Sequence, residues 1–204
     1  MKTFDIHTFL KTRPLSWSAM SSFEYDPEQW FQAYPMGIKQ PTSPEMAFGS
    51  VFGKSAEIGK PLAPVTLLAK MEHPFAFMFG KIPMIGYADT FDPVFKSHIG
   101  EYKTGVKEWT QKRVDEHGQI TFYALGNYTL DKVRPEDCAF FLEWIPTKKV
   151  WAKNGLSYGI AFRDTPPMPI HFDTKRTMKD LLQFGQRINR TVKEMEIYAN
   201  RRMA

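Results

Sequence analysis

Gly86-Tyr87-Ala88-Asp89, then Gly100-Glu101-Tyr102-Lys103-Thr104-Gly105, then Gln119-Ile120-Thr121-Phe122-Tyr123 are the runs on which the reading of this chain turns. Residues 82–91 and 97–103 hold short alternating apolar runs, the period of strands, and the Asp92-Pro93 step between them reads as a turn. A hairpin is expected. Side chains alternate along a strand, so Glu101 and Lys103 share one face and Tyr102 takes the other. Antiparallel pairing then brings Asp89 beside Glu101. Two adjoining carboxylates repel, and a hard divalent cation relieves the repulsion because oxygen donors suit Mg²⁺ or Mn²⁺. The backbone carbonyl of Tyr102 lies between them and completes the protein donors. Lys103, next to such an ion, is placed to orient an attacking water and to stabilise developing negative charge. Gln119 and Tyr123 are four apart in a predicted helix, so both tips reach from one face toward the same site.

Taken singly these features are ordinary. A Glu-x-Lys pair is a common ion pair on a strand, and a Gln and a Tyr on one helix face are common too. The specific signal is the ordered set: Asp, then Glu-x-Lys-Thr-Gly, then Gln-x-x-x-Tyr.

Outward from these runs, residues 16–34 read as helical with a break near Asp26-Pro27, where a second helix start is expected, and Ser16 or Ser18 as the first cap. Residues 45–58 are a second helical candidate, weakened by Gly49 and Gly53. Residues 109–128 read as one helix. Residues 139–144, 158–162 and 168–172 read as strands. Residues 174–202 read as a closing helix with Met178, Leu181, Leu182, Ile188, Val192 and Met195 on one stripe. The fold class implied is α/β, a mixed central β-sheet flanked by helices, in a single domain over residues 1–204.

The bulk numbers agree with a packed domain. Of 204 residues, 43% are hydrophobic and 15% aromatic, which excludes wholesale disorder. No apolar run approaches the roughly 20 residues of a membrane span. Residues 1–10 lack a basic-then-apolar secretory layout, and Cys138 is the sole cysteine, which excludes an internal disulfide framework. An intracellular, cytoplasmic setting is the expectation. The net charge of +5 is mild, but residues 171–204 carry eight basic side chains against four acidic ones. That stretch reads as a solvated helix face or a phosphate-binding one. Trp17, Trp30 and Trp109 are candidates for stacking on bases, with a core role as the competing reading.

The run Glu101-Tyr102-Lys103-Thr104-Gly105 followed by Gln119-x-x-x-Tyr123 resembles the RecB-type branch of the PD-(D/E)XK nuclease superfamily, which includes many phage exonucleases. The flanks are similar as well. Leu15-Ser16-Trp17-Ser18 resembles the family's N-terminal Leu-Ser-x-Ser helix. The run from Phe48 to Glu57 resembles its Gly-x-x-x-His-x-x-x-Glu helix. The resemblance spans roughly residues 15–200 and is sharpest over residues 86–123.

It implies a restriction-endonuclease-like core and a metal-dependent DNA nuclease, an exonuclease of recombination, repair or replication. It implies Asp89 and Glu101 as ligands of Mg²⁺ or Mn²⁺, Lys103 as the catalytic lysine, and Gln119 with Tyr123 as the supporting pair. DNA, as single strands or duplex ends, is the implied partner. A recombination or helicase protein is a second one, and a phage-encoded protein acting in the host cytoplasm is in keeping. Two departures stand out. The family's His position is Gly53 here, and Glu57, one helical turn on, is the candidate replacement ligand. Asp26 stands where many relatives have the first iron–sulfur cysteine, so no iron–sulfur cluster is expected. The alternatives are a catalytically weakened nucleic-acid binding module on the same fold and a restriction-type endonuclease.

Overall fold

The computed structural model describes residues 3–92 and 98–204. Helices α1 (Ile6–Thr12), α2 (Trp17–Tyr25), α3 (Pro27–Ala33) and α4 (Pro44–Glu57) come first. Strands β1 (Lys70–Phe79), β2 (Ile82–Phe91) and β3 (His98–Gly105) follow. Then come helices α5 (Gln111–Asp115) and α6 (Gly118–Asp131), strands β4 (Ala139–Trp151), β5 (Tyr158–Phe162) and β6 (Ile170–Thr174), and helix α7 (Met178–Met203). Side-chain caps explain where the helices start. Ser16 Oγ accepts from Ala19 N, and Asp26 Oδ1 accepts from the N–H groups of Glu28 and Gln29 ahead of Pro27. Thr177 and Asp180 form a reciprocal capping box at the head of α7.

The six strands make one mixed sheet. Its path runs β1-β2-β3-β4-β5, with β6 pairing β4 as well. β1–β2 and β2–β3 are antiparallel, β3–β4 is parallel, and β6 lies antiparallel on the other side of β4. β1 and α1 were not anticipated from the sequence. Pro74 argues against a strand, yet β1 ends the sheet path, and an edge strand tolerates proline. The tight hairpin joins β1 to β2 at Gly80, whose φ of +58° suits glycine. The turn expected at Asp92-Pro93 and the strand start at Ser97 fall mainly on residues 93–97, outside the described residues. The strand expected over residues 168–172 lies instead at Ile170–Thr174.

The helix expected over residues 109–128 is two helices. Thr110 caps α5, which stops at Asp115, and α6 restarts at Gly118. Arg176, 2% exposed, holds the break. Its guanidinium donates to the carbonyls of Val114 and His117 (3.1 Å each) and to Thr121 Oγ1 (2.8 Å). It thereby satisfies carbonyls that a helix end leaves without partners. α6 is buried almost all round from Ile120 to Asn127, because the sheet covers one side and α7 another. A Cβ at Gly86 would stand 2.6 Å from the Phe122 ring, so glycine is what lets α6 lie close on β2. The main core fills the space between the sheet and α1–α3, α6 and α7. A smaller cluster, with Phe52, Tyr102, Phe141 and Ile145, packs α4 onto the other face. Among the described residues no helix is long and apolar enough to cross a membrane.

Candidate active site

Among the described residues β2 and β3 pair at Thr90–Gly100 and Phe91–Ile99, with the Asp92 N–H donating to the His98 carbonyl at 3.1 Å, and toward Asp89 they part. The ladder of β1 is irregular at the same level. Glu72 has φ +48°, and in the β1–β2 register it stands opposite Asp89, between Met71↔Thr90 and His73↔Ala88. Alternation slips at this point. Met71 packs on the smaller cluster, while His73, two residues on, stacks on Phe91 of the main core. Positive φ in a non-glycine residue is uncommon and costs backbone energy. It falls here beside the carboxylates.

In the gap between the strands the Tyr102 N–H donates to Asp89 Oδ2 at 2.5 Å. A residue's N–H and C=O leave an extended strand on the same edge, so the Tyr102 carbonyl faces the same opening. Glu101 and Lys103 point to the α6 side. Lys103 Nζ donates to Glu101 Oε1 and, at 2.8 Å, to Gln119 Oε1. Gln119 Nε2 donates to the Tyr123 hydroxyl at 2.6 Å. That hydroxyl shares its single proton between the Tyr87 carbonyl (2.5 Å) and Glu101 Oε2 (2.8 Å). The helix spacing of four thus delivers both polar tips to one strand pair. Glu101, Lys103, Gln119 and Tyr123 form one hydrogen-bonded group, and Asp89 stands beside it, bonded to the Tyr102 N–H and within reach of the Glu101 and Lys103 charges.

The electrostatics are those of a crowded carboxylate site. Burial, and then the Glu101 carboxylate, push the Asp89 carboxyl well above the usual carboxylate range, with Glu72 adding to the effect. Burial, then Glu101 and Glu57, raise Glu72 as well. Burial disfavours the charge on Lys103, but Glu101 and Asp89 outweigh it and hold the ammonium above its ordinary value. Burial and those same two carboxylates keep the Tyr123 phenol protonated. Behind Gln119, burial and the nearby Lys103 push His117 down to about 3. Its ring stays neutral between the edges of Trp17 and Trp109.

These groups open on a cavity of about 270 Å³. Asp89, Glu101, Tyr102, Lys103 and Thr104 form its floor, and Gly49, Phe52 and Gly53 of α4 form its wall. A Cβ at Gly53 would meet nothing within 4 Å, so the wall is open there. Glu57 is exposed and does not line this cavity; its carboxylate is felt at Glu72. Among the described residues no three His, Cys, Asp or Glu side chains gather closely enough to hold a metal by themselves. Glu72 escaped the sequence reading. It lies in Met71-Glu72-His73-Pro74, which shows no strand period, and the β1–β2 register sets it opposite Asp89.

A larger hollow of about 440 Å³ lies between α6 and α7, but two of its cations are already engaged. Arg176 is spent on backbone carbonyls, and Arg187 pairs with Glu24. Arg202 likewise pairs with Glu28, so much of the basic C-terminal stretch binds the chain to itself. Trp30 and Trp109 are buried and Trp17 packs against the core, so the core reading holds for all three. Compared with known proteins, the chain matches no family model, and no curated protein is significantly similar to it.

Proposed function

We propose that this protein is a metal-dependent nuclease that hydrolyses phosphodiester bonds of DNA, acting as an exonuclease. The observation that carries the reading is Lys103. Its ammonium is held between Glu101 and Gln119 at the floor of an open cavity, beside an Asp89 carboxyl that its neighbours destabilise when charged. A buried carboxyl pushed above its usual range, beside a second carboxylate and one lysine in a cleft, is the arrangement expected of a reacting site.

The donor set fits a hard divalent ion. Asp89 and Glu101 supply two carboxylates and Tyr102 a carbonyl on the same edge. Mg²⁺ usually keeps several waters and takes only one or two carboxylates. Such an ion, when bound, supplies Lewis acidity and offsets the charge that crowds Asp89. The chain's own groups do the rest. Lys103 offers a fixed positive charge to the phosphate oxygen that gains charge in the transition state. Gln119 and Tyr123 hold Lys103 and Glu101 in register, and neutral His117 packs behind them. The Gly53 gap admits the backbone of a strand to the floor.

A second reading, a nucleic-acid binding module with weakened catalysis, draws on the lack of a third close ligand among the described residues. One assay separates the two. End-labelled linear DNA and closed circular DNA are incubated with Mg²⁺, Mn²⁺ or chelator, beside Lys103→Ala. The nuclease reading expects linear DNA to be degraded with metal, the circle to survive, and Lys103→Ala to be inert. Uncut DNA in every arm with folded wild-type protein sinks it in favour of the binding module.

A further inference from the structure

Past Pro146, β4 leaves the sheet. Its last rung with β3 is Gly105↔Pro146, and from Thr147↔Phe162 to Trp151↔Tyr158 it pairs with β5 alone. A two-stranded ribbon in water is marginal unless something anchors it. The anchor is the first turn and a half of α4. The Phe162 ring packs edge-on to Phe48 at 5.2 Å, the Tyr158 hydroxyl donates to Glu45 at 3.0 Å, and Lys149 pairs with Glu45 at 3.7 Å. The outer part of the ribbon carries apolar surface into solvent: Trp151 is 59% exposed and Leu156 87%. Trp151 is the one exposed tryptophan of five, and folding does not explain it.

Residues 147–163 hold four basic side chains, Lys148, Lys149, Lys153 and Arg163, and no acidic one, though Arg163 pairs with Asp164 next to it at 3.2 Å. Lys149, Trp151 and Tyr158 share one ribbon face. The two rings stand 5.0 Å apart, and Lys149 lies 4.2 Å over Tyr158. Glu45, beneath this face, is four residues from Gly49 and eight from Gly53, so the three lie along one line of α4. At 1.5 Å per residue the ribbon's anchor is about 12 Å from the open wall of the cavity.

We infer that the β4–β5 ribbon is a grip for single-stranded nucleic acid, which it passes along α4 to the cavity; its purpose rests on the nuclease reading, its binding does not. Bases stack on the exposed Trp151, which the half-buried Tyr158 backs, and Lys153 takes phosphates together with Lys149, whose pairing with Glu45 is long at 3.7 Å. Aromatic faces interleaved with cations bind single strands with little sequence preference. Counting Asp164 and Glu45 beside it, the ribbon still has four basic side chains to two acidic ones, which favours a polyanion over a protein partner. Paired bases in a duplex already stack on each other and leave no face for Trp151.

The test is anisotropy of labelled oligothymidylate on the full chain in chelator, where no cleavage proceeds. Trp151→Ala, a surface change, is expected to weaken binding about tenfold, the usual worth of one stacked base, with most of it restored by Trp151→Phe. Lys149→Ala/Lys153→Ala is expected to lower the slope of log affinity against log salt by about 1.4, at roughly 0.7 per phosphate contact. Unlabelled blunt duplex is expected to compete poorly. Equal binding by folded Trp151→Ala, or equal competition by duplex, overturns the inference. Cleavage by wild-type protein in Mg²⁺ is scored separately. Trp151-dependent binding without cleavage removes the nuclease reading and keeps the ribbon's role. Cleavage with binding indifferent to Trp151 does the reverse.

Discussion

Glu101 and Glu143 stand on neighbouring strands, one residue apart in register, and are 3% and 4% exposed. They have opposite surroundings. Glu143 accepts from Thr66 N (2.8 Å), from Thr66 Oγ1 (2.6 Å) and from His171, and those donors close over it. Glu101 has Lys103 and the Tyr123 hydroxyl, but two further carboxylates, Asp89 and Glu72, press on it. A buried acid with its own donors is a strut. A buried acid with other acids beside it stores repulsion that a cation relieves. Burial alone does not tell the two apart; the sign of the neighbours does.

The comparison can be broken most forcefully at Asp89. Asp89→Asn is expected to cut cleavage by about 10²–10³-fold, the scale of losing one preorganised electrostatic contact. Folding raises the Asp89 pKa, so this group's contribution to stability falls as pH climbs from the ordinary carboxylate range through the raised value. Above that window the cost is fully present. Asp89→Asn should therefore melt no lower than wild type at neutral pH. Mg²⁺ or Mn²⁺ should raise the melting temperature of wild type and leave Asp89→Asn unmoved. A thermal melt with and without metal reads both, and a large loss of stability in Asp89→Asn contradicts the stored repulsion.

The converse change is Glu143→Ala. It should cost about 2 kcal/mol in urea unfolding, the usual worth of hydrogen bonds to a charged group, and leave cleavage per folded molecule as in wild type. Loss of cleavage with intact stability would erase the distinction between the two glutamates.

The smallest effect sits at His171. Partial burial opposes its charge, but Glu143 and then Asp173 prevail and raise its pKa. Its contribution to stability is full below the ordinary histidine value and is lost as pH rises through the raised one. A shallow decline of melting temperature over that window, absent in His171→Asn, is the expected signature.

The carboxylates, Lys103, Gln119 and Tyr123 were legible because period-2 and spacing-of-four arguments are local. Strand 82–91 and the Ser16 and Asp26 caps were legible for the same reason. The break at residues 116–117 was not, because it is held by Arg176 from a distant part of the chain. Glu72 was hidden because β1 itself was, Pro74 arguing against the strand whose register sets Glu72 opposite Asp89. The ribbon was half visible: β5 was read at its true bounds, but β4 was cut at Trp144, since residues 140–147 are buried on both faces and residues 148–151 on neither, so no alternation marks its length.

Gly53 leaves the cavity wall bare, with nothing within 4 Å of where a side chain would begin. A glycine inside a helix sacrifices roughly 0.5–1 kcal/mol relative to alanine. An alanine set there thus firms α4, and a longer side chain enters the cavity that Asp89 and Glu101 line. A side chain at this one position can change the shape and charge of the cavity without disturbing a packed neighbour, so the locus is an open address for selection, and for the engineer a place to write.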